Sequence, residues 1–183
     1  MKKDVDNIHF VELLTKTANF DILINIIQMT KAAFSPTNYI DEIKLAVEGH
    51  HELPLIVQNA HIVFNSLLLL VSHPDIPAKL RAKCFTAIGY FFVPEDVISE
   101  KEFGPIGFVE DVMLAMFVHH QIIETMGKDG EEAIEQAMAG SIQPYKIIQQ
   151  DYEQQRLTYE RQFLSALRLT GLISDEEYSN IIN

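Results

Sequence analysis

The stretch "YFFVPEDVISEKEFGPIGFVEDVM" at residues 90–113 decides the fold, because it sets two acidic clusters between strongly apolar segments. Glu95-Asp96 follows a proline, and Glu110-Asp111 comes shortly after the turn residues Gly-Pro-Ile-Gly. Proline is favoured in the first turn of a helix, where carboxylates lie near free backbone N–H groups and the positive end of the helix dipole. The stretch is therefore predicted to be the loop of a helical hairpin, with an acidic pair at each helix start.

The segments around this loop predict an all-α protein. Apolar residues recur with helical spacing along almost the whole chain, and no segment alternates as a strand does. We expect a single compact multi-helix domain over residues 1–183, built around the helical hairpin and its acidic Pro/Gly loop. Helices are predicted at Val5–Thr17, Asp21–Phe34, Thr37 to about Gly49, 54–72, Pro77 to about Phe92, Gly107–Met126, 131–138, 143–169 and 174–182.

The C-terminal part of the chain carries two more specific patterns. The helix over 143–169 has an apolar stripe that is expected to face the core, made of Ile148, Tyr152, Tyr159, Phe163 and Leu167. If that stripe were exposed instead, it would be the seam of a homodimer, so a homodimer stays open. Ser174 and Glu177 have the spacing of a capping box at the start of the last helix.

Acidic residues are concentrated in one part of the chain. The sequence has 26 acidic and 14 basic residues, a net charge of −12. Residues 94–136 hold eleven of the acids and two lysines, a net −9. Such a charge repels polyanions and attracts basic surfaces, so no nucleic acid is expected as a partner, whereas a protein with a basic surface is.

The sequence also predicts a cytoplasmic protein. Cys84 is the single cysteine, which excludes an intramolecular disulfide, and the N-terminus "MKKDVDNIHF" lacks the apolar run of a signal peptide. We expect Cys84 to be an inert thiol in the core. The apolar window 53–71 has the length of a membrane span, but it contains Gln58, Asn59, His61, Asn65 and Ser66, which favours a buried core helix.

Two short patterns flank the hairpin loop. A Pro-x-Asp-hydrophobic-hydrophobic turn is made by Pro94, Asp96, Val97 and Ile98. A Gly-aromatic-hydrophobic-acid-Asp run is made by Gly107, Phe108, Val109, Glu110 and Asp111. Together with Asp75-x-Pro77 and Tyr90, these patterns resemble the bacterial YkvA-like family over about residues 73–120, a quarter of the chain. The chain departs from the family pattern at Ser99, usually a second proline, at Glu100, usually Asp, and at Glu110, which replaces the first Asp of the pair.

The resemblance implies a small helical core but no particular chemistry, since the YkvA-like family is one of unknown function. It places that core at about residues 73–126, between N-terminal helices over 5–72 and the C-terminal helices at 143–169 and 174–182. Some members of the family are thought to be membrane-associated. The resemblance therefore adds a peripheral membrane protein to the functions that stay open.

Three interpretations of the acidic loop follow. In the first, the loop is pinned by charge-assisted hydrogen bonds and tight turns at Pro94, Asp96, Gly107 and Asp111. In the second, outward-facing carboxylates bind a partner, with Glu95, Glu100, Glu102 and Glu110 as the candidates. In the third, a divalent cation is bound by Asp96, Glu110 and Asp111 together with His119 or His120. The rise between Asp111 and His119 is about 12 Å, so one ion would need another element to join them.

We favour a non-enzymatic protein-binding module of the adaptor, inhibitor or immunity type. Its acidic surface, over 94–111 and the neighbouring acids at 131–135, would engage a basic partner. This interpretation predicts no catalytic residues and no cofactor. The alternatives are a divalent-metal-binding protein or hydrolase with a carboxylate/His site, and a protein that associates peripherally with a membrane through the 54–72 helix.

Overall fold

The structure, a computed structural model, describes residues 36–93, 97–141 and 143–182, with only the backbone described at Pro36, Thr37 and Ile182. The predicted helices at Val5–Thr17 and Asp21–Phe34 lie outside these residues. The described part is helical and contains no strand, which confirms the all-α prediction.

The helices follow one another through short connections. Before the acidic loop lie α1 (Pro36–Val47), α2 (Leu55–Gln58), α3 (Ala60–Ser72) and α4 (Ala78–Tyr90). The loop itself contains the one-turn helix α5 (Glu100–Phe103) and a 3₁₀ helix (Gly104–Gly107). After it come α6 (Phe108–Met126), α7 (Lys128–Ala137), α8 (Tyr145–Thr158), α9 (Glu160–Leu169) and α10 (Asp175–Ile182).

Helix α6 lies at the centre of the hydrophobic core. It contacts α2, α3, α4, α7, α8 and α9, so almost every side of the helix is covered. Met113, Leu114 and Ile122 are among its fully buried side chains. Each such side chain contributes about 1.5–3 kcal/mol by leaving water. The run Glu100–Met126 is long and apolar enough to cross a membrane, yet 72% of its most apolar window is buried against the rest of the protein.

A cluster of aromatic side chains connects the start of the acidic loop to α1 and α3. Phe64 of α3 packs edge-on against Phe91 and Phe92, which directly follow α4. Tyr39 of α1 packs on Phe64 and Phe92, and its hydroxyl donates a hydrogen bond to the Phe91 carbonyl. The chain therefore enters the loop from a fixed position.

The single helix predicted over 54–72 is wrong, because the chain leaves helical geometry at Asn59 (φ −100°, ψ 11°) between α2 and α3. The Asn59 side-chain amide donates to the Leu55 carbonyl at 2.8 Å, and its side-chain oxygen accepts a hydrogen bond from Ser141 at 3.2 Å. An asparagine that bonds nearby backbone competes with the regular helix ladder. The link to a serine 82 residues further along the chain accompanies the break.

The helix predicted over 143–169 is likewise two helices, divided at Tyr159 (φ −111°, ψ 29°). The predicted apolar stripe still faces inward: Tyr159 is half-buried, and the buried members are Ile148, Tyr152, Phe163 and Leu167. Tyr152 and Phe163 pack edge-on across the break at 6.1 Å between ring centres. The stripe therefore belongs to the core.

The capping box predicted at the start of α10 is confirmed. The Ser174 backbone N–H donates to Glu177 Oε2 at 2.7 Å, and the Glu177 N–H donates to Ser174 Oγ at 3.2 Å. These hydrogen bonds favour the charged carboxylate and lower the pKa of Glu177.

Candidate functional site

Within the acidic loop, the backbone at Gly107 lies very close to the backbone at Glu100. Gly107 ends the 3₁₀ helix, and a Cβ atom placed on it would lie 2.5 Å from the Glu100 nitrogen and 2.6 Å from the Glu100 Cα. Real side chains do not tolerate such distances to backbone atoms. Glycine is therefore required at 107 so that the turn of α5 can lie against the start of α6.

Glu110, in the first turn of α6, binds the loop from inside. Its side chain is fully buried, and Oε1 accepts hydrogen bonds from the Tyr90 hydroxyl at 2.8 Å and from the backbone N–H groups of Val97 at 2.7 Å and Ile98 at 3.0 Å. One carboxylate oxygen thus joins the last residue of α4, the loop and the first turn of α6. Such charge-assisted bonds are among the stronger ones in proteins.

Burial and hydrogen bonding have opposite effects on this carboxyl group. Loss of hydration raises the pKa of Glu110, and the three hydrogen bonds only partly offset that rise. Burial and the neighbouring Glu110 charge also raise the pKa of the Tyr90 phenol, which stays a donor.

The prediction that Glu110 faces outward as a partner-binding charge is wrong. A carboxylate at a helix start was expected to lie at the surface, but the Tyr90 hydroxyl and two loop amides hold this one in the interior. Of the other three candidates, Glu102 is exposed and Glu100 is half-buried. Glu95 lies outside the described residues.

Of the four residues predicted to fix the loop, two are described by the structure and two are not. Gly107 and Asp111 are both buried at the start of α6. Pro94 and Asp96 lie outside the described residues. The sequence pattern missed two pinning groups: Glu110 itself, and Tyr90, which it identified only as an aromatic position.

The two histidines of the proposed cation site have different surroundings. His119 is fully buried, and its Nε2 lies 2.9 Å from Ser66 Oγ, which donates to the Val63 carbonyl at 2.6 Å. Burial lowers the pKa of His119 to about 3, so the ring is neutral at physiological pH. His120 is half-exposed and pairs with Glu124 at 3.2 Å on the same helix.

The proposed metal ligands are not assembled into a site within the described part of the chain. No group of three or more His, Cys, Asp or Glu side chains there is placed to hold one ion. Glu110 directs Oε1 to the loop, and His119 directs Nε2 to Ser66 on α3. Asp96, the remaining proposed ligand, lies outside the described residues.

The thiol of Cys84 is in the core, as predicted. Its side chain is fully buried in α4, and burial raises the pKa of the thiol to about 12. A thiol with that pKa is protonated at physiological pH and is a poor nucleophile.

Helix α7 carries a group of exposed negative charges. Its outward face presents Asp129, Glu131, Glu132 and Glu135, while the one base of the helix, Lys128, pairs with Glu132 at 3.2 Å. The inward face is buried and made of Gly130, Ala133, Ile134 and Ala137. We call this outward face the acidic face of α7.

Gly130 allows α7, the helix that carries the acidic face, to pack closely against α6. A Cβ atom at Gly130 would lie 2.7 Å from the Ile122 carbonyl oxygen of α6. The absence of a side chain therefore lets α7 fold back against α6. The four carboxylates lie on a helix whose opposite face is closely packed.

Comparisons with known proteins identify no relative of this chain. No family model, no curated protein and no solved structure matches it. The resemblance to the YkvA-like family stays a prediction from the sequence pattern.

Proposed function

We propose that the protein is a non-enzymatic protein-binding module that uses an acidic surface to engage a basic partner. The observation that carries the proposal is the acidic face of α7, where four exposed carboxylates on one helix are accompanied by one base. Grouped charges of one sign produce a field that attracts a complementary surface and speeds its approach.

The packing of α7 supports a recognition role for these acids. A buried face and the close approach at Gly130 hold the helix against α6, so the backbone that carries the carboxylates needs no further ordering when a partner binds. A surface already ordered before binding loses less conformational entropy on association. The expected partner presents lysine or arginine side chains spaced to meet successive turns of one helix.

Glu102 extends the proposal to the acidic loop. It is exposed on α5, and the next residue, Phe103, has 58% of its surface exposed. An exposed aromatic side chain beside a carboxylate is a frequent type of contact residue in protein interfaces. The acidic loop leads into the N-terminal end of α6, and α7 follows the C-terminal end of α6. Glu102 and the acidic face of α7 are therefore attached to opposite ends of this 19-residue helix.

The proposal is tested by reversing charge on α7 and comparing affinity capture from the native cell extract. The test variant is Glu131→Lys/Glu132→Lys/Glu135→Lys. The matched control, Asp41→Lys/Glu42→Lys/Glu48→Lys, changes the net charge equally, also at exposed acids, in and just after α1. We expect the α7 variant to lose proteins that the wild type and the control retain, and those proteins to elute as salt is raised.

Two outcomes would contradict the proposal. Capture that survives charge reversal on α7 would remove the acidic face from binding. Equal loss in both variants would show a response to net charge alone. Circular dichroism of each variant establishes first that the helices are intact.

The two alternatives have less support from the described residues. A metal-binding function would need its ligands gathered around one ion, and no group of three or more His, Cys, Asp or Glu side chains among the described residues is placed to hold one. Membrane association through 54–72 would need α3 to leave α1, α4, α6 and α7, against which it packs. Neither has a specific observation in its favour.

A further inference from the structure

The outward face of α8 carries regularly spaced residues that do not pack into the core. The inward face is buried through Ile148, Tyr152 and Gln155. On the opposite side Ile147, Gln150, Gln154 and Leu157 are all exposed, and Leu157 leaves 74% of its surface to solvent. These four residues, which we call the outer stripe, are separated by three, four and three positions.

This spacing is that of the contact positions in a two-stranded coiled coil. Side chains spaced alternately by three and four residues form one stripe along a helix, and two such stripes pack together. The outer stripe has apolar residues at its ends and glutamines in the middle. Polar residues inside such a seam set its register, because a shifted register leaves their amides without partners.

The outer stripe is complementary to itself in the antiparallel direction. When α8 is paired with a second α8 about a two-fold axis, Ile147 faces Leu157 of the other copy and Gln150 faces Gln154. Each contact then occurs twice, as in any isologous interface. The two apolar contacts lie at the ends, and the glutamine amides can donate and accept across the middle.

Charges along the stripe also favour the antiparallel arrangement. Lys146 lies at the N-terminal end of α8, so antiparallel copies hold the two Lys146 side chains at opposite ends of the seam. Glu153 meets its own copy near the axis, but each Glu153 already pairs with Arg156 at 3.2 Å. A parallel pair would instead set Lys146 beside Lys146.

We propose that the outer stripe of α8 is a self-association surface that takes a second copy of this chain in antiparallel register. A helix of 14 residues is about 20 Å long, so the seam is smaller than the roughly 800 Å² per partner of a standard interface. The dimer is therefore weak and depends on concentration. It is independent of the acidic face of α7.

The first test measures mass in solution by sedimentation equilibrium over a wide concentration range. The wild type is expected to rise from 20.9 kDa toward twice that mass. Leu157→Glu places a charge in the seam and should weaken association about tenfold or more. The control Leu45→Glu changes a leucine that is 70% exposed on α1 and should leave association unchanged.

The second test determines the register by disulfide crosslinking. Gln150→Cys and Gln154→Cys proteins are oxidised separately and as a mixture, with the native Cys84 thiol buried and out of reach. The antiparallel seam predicts that the mixed 150–154 disulfide forms faster than either symmetric one. A wild type that stays monomeric, equal weakening by both glutamates, or faster symmetric crosslinking would each overturn the proposal.

Discussion

Tyr90, the last residue of α4, donates its hydroxyl hydrogen to the buried carboxylate of Glu110 in the first turn of α6, at 2.8 Å. The same oxygen receives the N–H groups of Val97 and Ile98. The two helices of the hairpin and the loop between them therefore meet at one carboxyl oxygen. The shape of the loop depends on this internal contact.

Replacing Tyr90 with Phe removes one donor from the Glu110 carboxyl oxygen and leaves the ring in place. A buried hydrogen bond contributes about 0.5–3 kcal/mol, more when its acceptor is charged, so we expect the free energy of unfolding to fall by an amount in that range. Tyr152→Phe is the control, because Tyr152 is 4% exposed against 5% for Tyr90 and has no comparable carboxylate contact among the described residues. Urea unfolding of both variants gives the comparison, and equal losses would show that the Glu110 contact contributes little.

The raised pKa of Glu110 predicts a specific pH dependence. A carboxyl group whose pKa is higher in the folded than in the unfolded state binds more protons when folded. Its contribution to stability is therefore complete below the unfolded pKa and is lost as pH rises through the folded pKa. The free energy of unfolding of the wild type minus that of Glu110→Gln should decrease as pH rises from about 4 upward. A difference that stays constant or increases with pH contradicts the assignment.

The sequence could predict the helical class and the inward faces, but not which acid is buried. Ile148, Tyr152, Phe163 and Leu167 follow a local periodicity, so their burial was predictable even though the helix breaks at Tyr159. Glu110 depends on a tyrosine 20 residues earlier in the chain. Helical periodicity carries no information about a contact between two different helices.

The break between α2 and α3 is also accompanied by a distant contact, which local periodicity does not reveal. Residues 54–72 are apolar enough for one helix, and the Asn59 interruption accompanies a hydrogen bond to Ser141. His119 and His120 are adjacent and identical in type, yet only the first meets Ser66 in the core. Such differences are determined by the packing of whole helices.

Gly107→Ala tests whether the loop needs the close approach to Glu100. Because the new Cβ would lie 2.5 Å from a backbone nitrogen, the loop must shift, and we expect a loss of about 3 kcal/mol or more. Gly140→Ala is the matched control, since no atom lies within 4 Å of a Cβ at that position. Its effect on the free energy of unfolding should stay under about 1 kcal/mol. Thermal unfolding monitored by circular dichroism distinguishes the two, and a Gly107→Ala protein as stable as the control would refute the requirement.

His119 predicts a pH dependence of the opposite sign to that of Glu110. Its folded pKa of about 3 lies below the ordinary value of 6.5, so only the unfolded chain takes up this proton as pH falls from 6.5 toward 3. The contribution of His119 to stability is present above 6.5 and is lost at about 1.4 kcal/mol per pH unit within that interval. His119→Gln keeps a polar group that can reach Ser66 but cannot titrate, so the difference in unfolding free energy between wild type and variant should fall as pH is lowered. Chemical denaturation at pH 7, 6, 5 and 4 measures it, and a difference independent of pH would mean that the ring is protonated equally in both states.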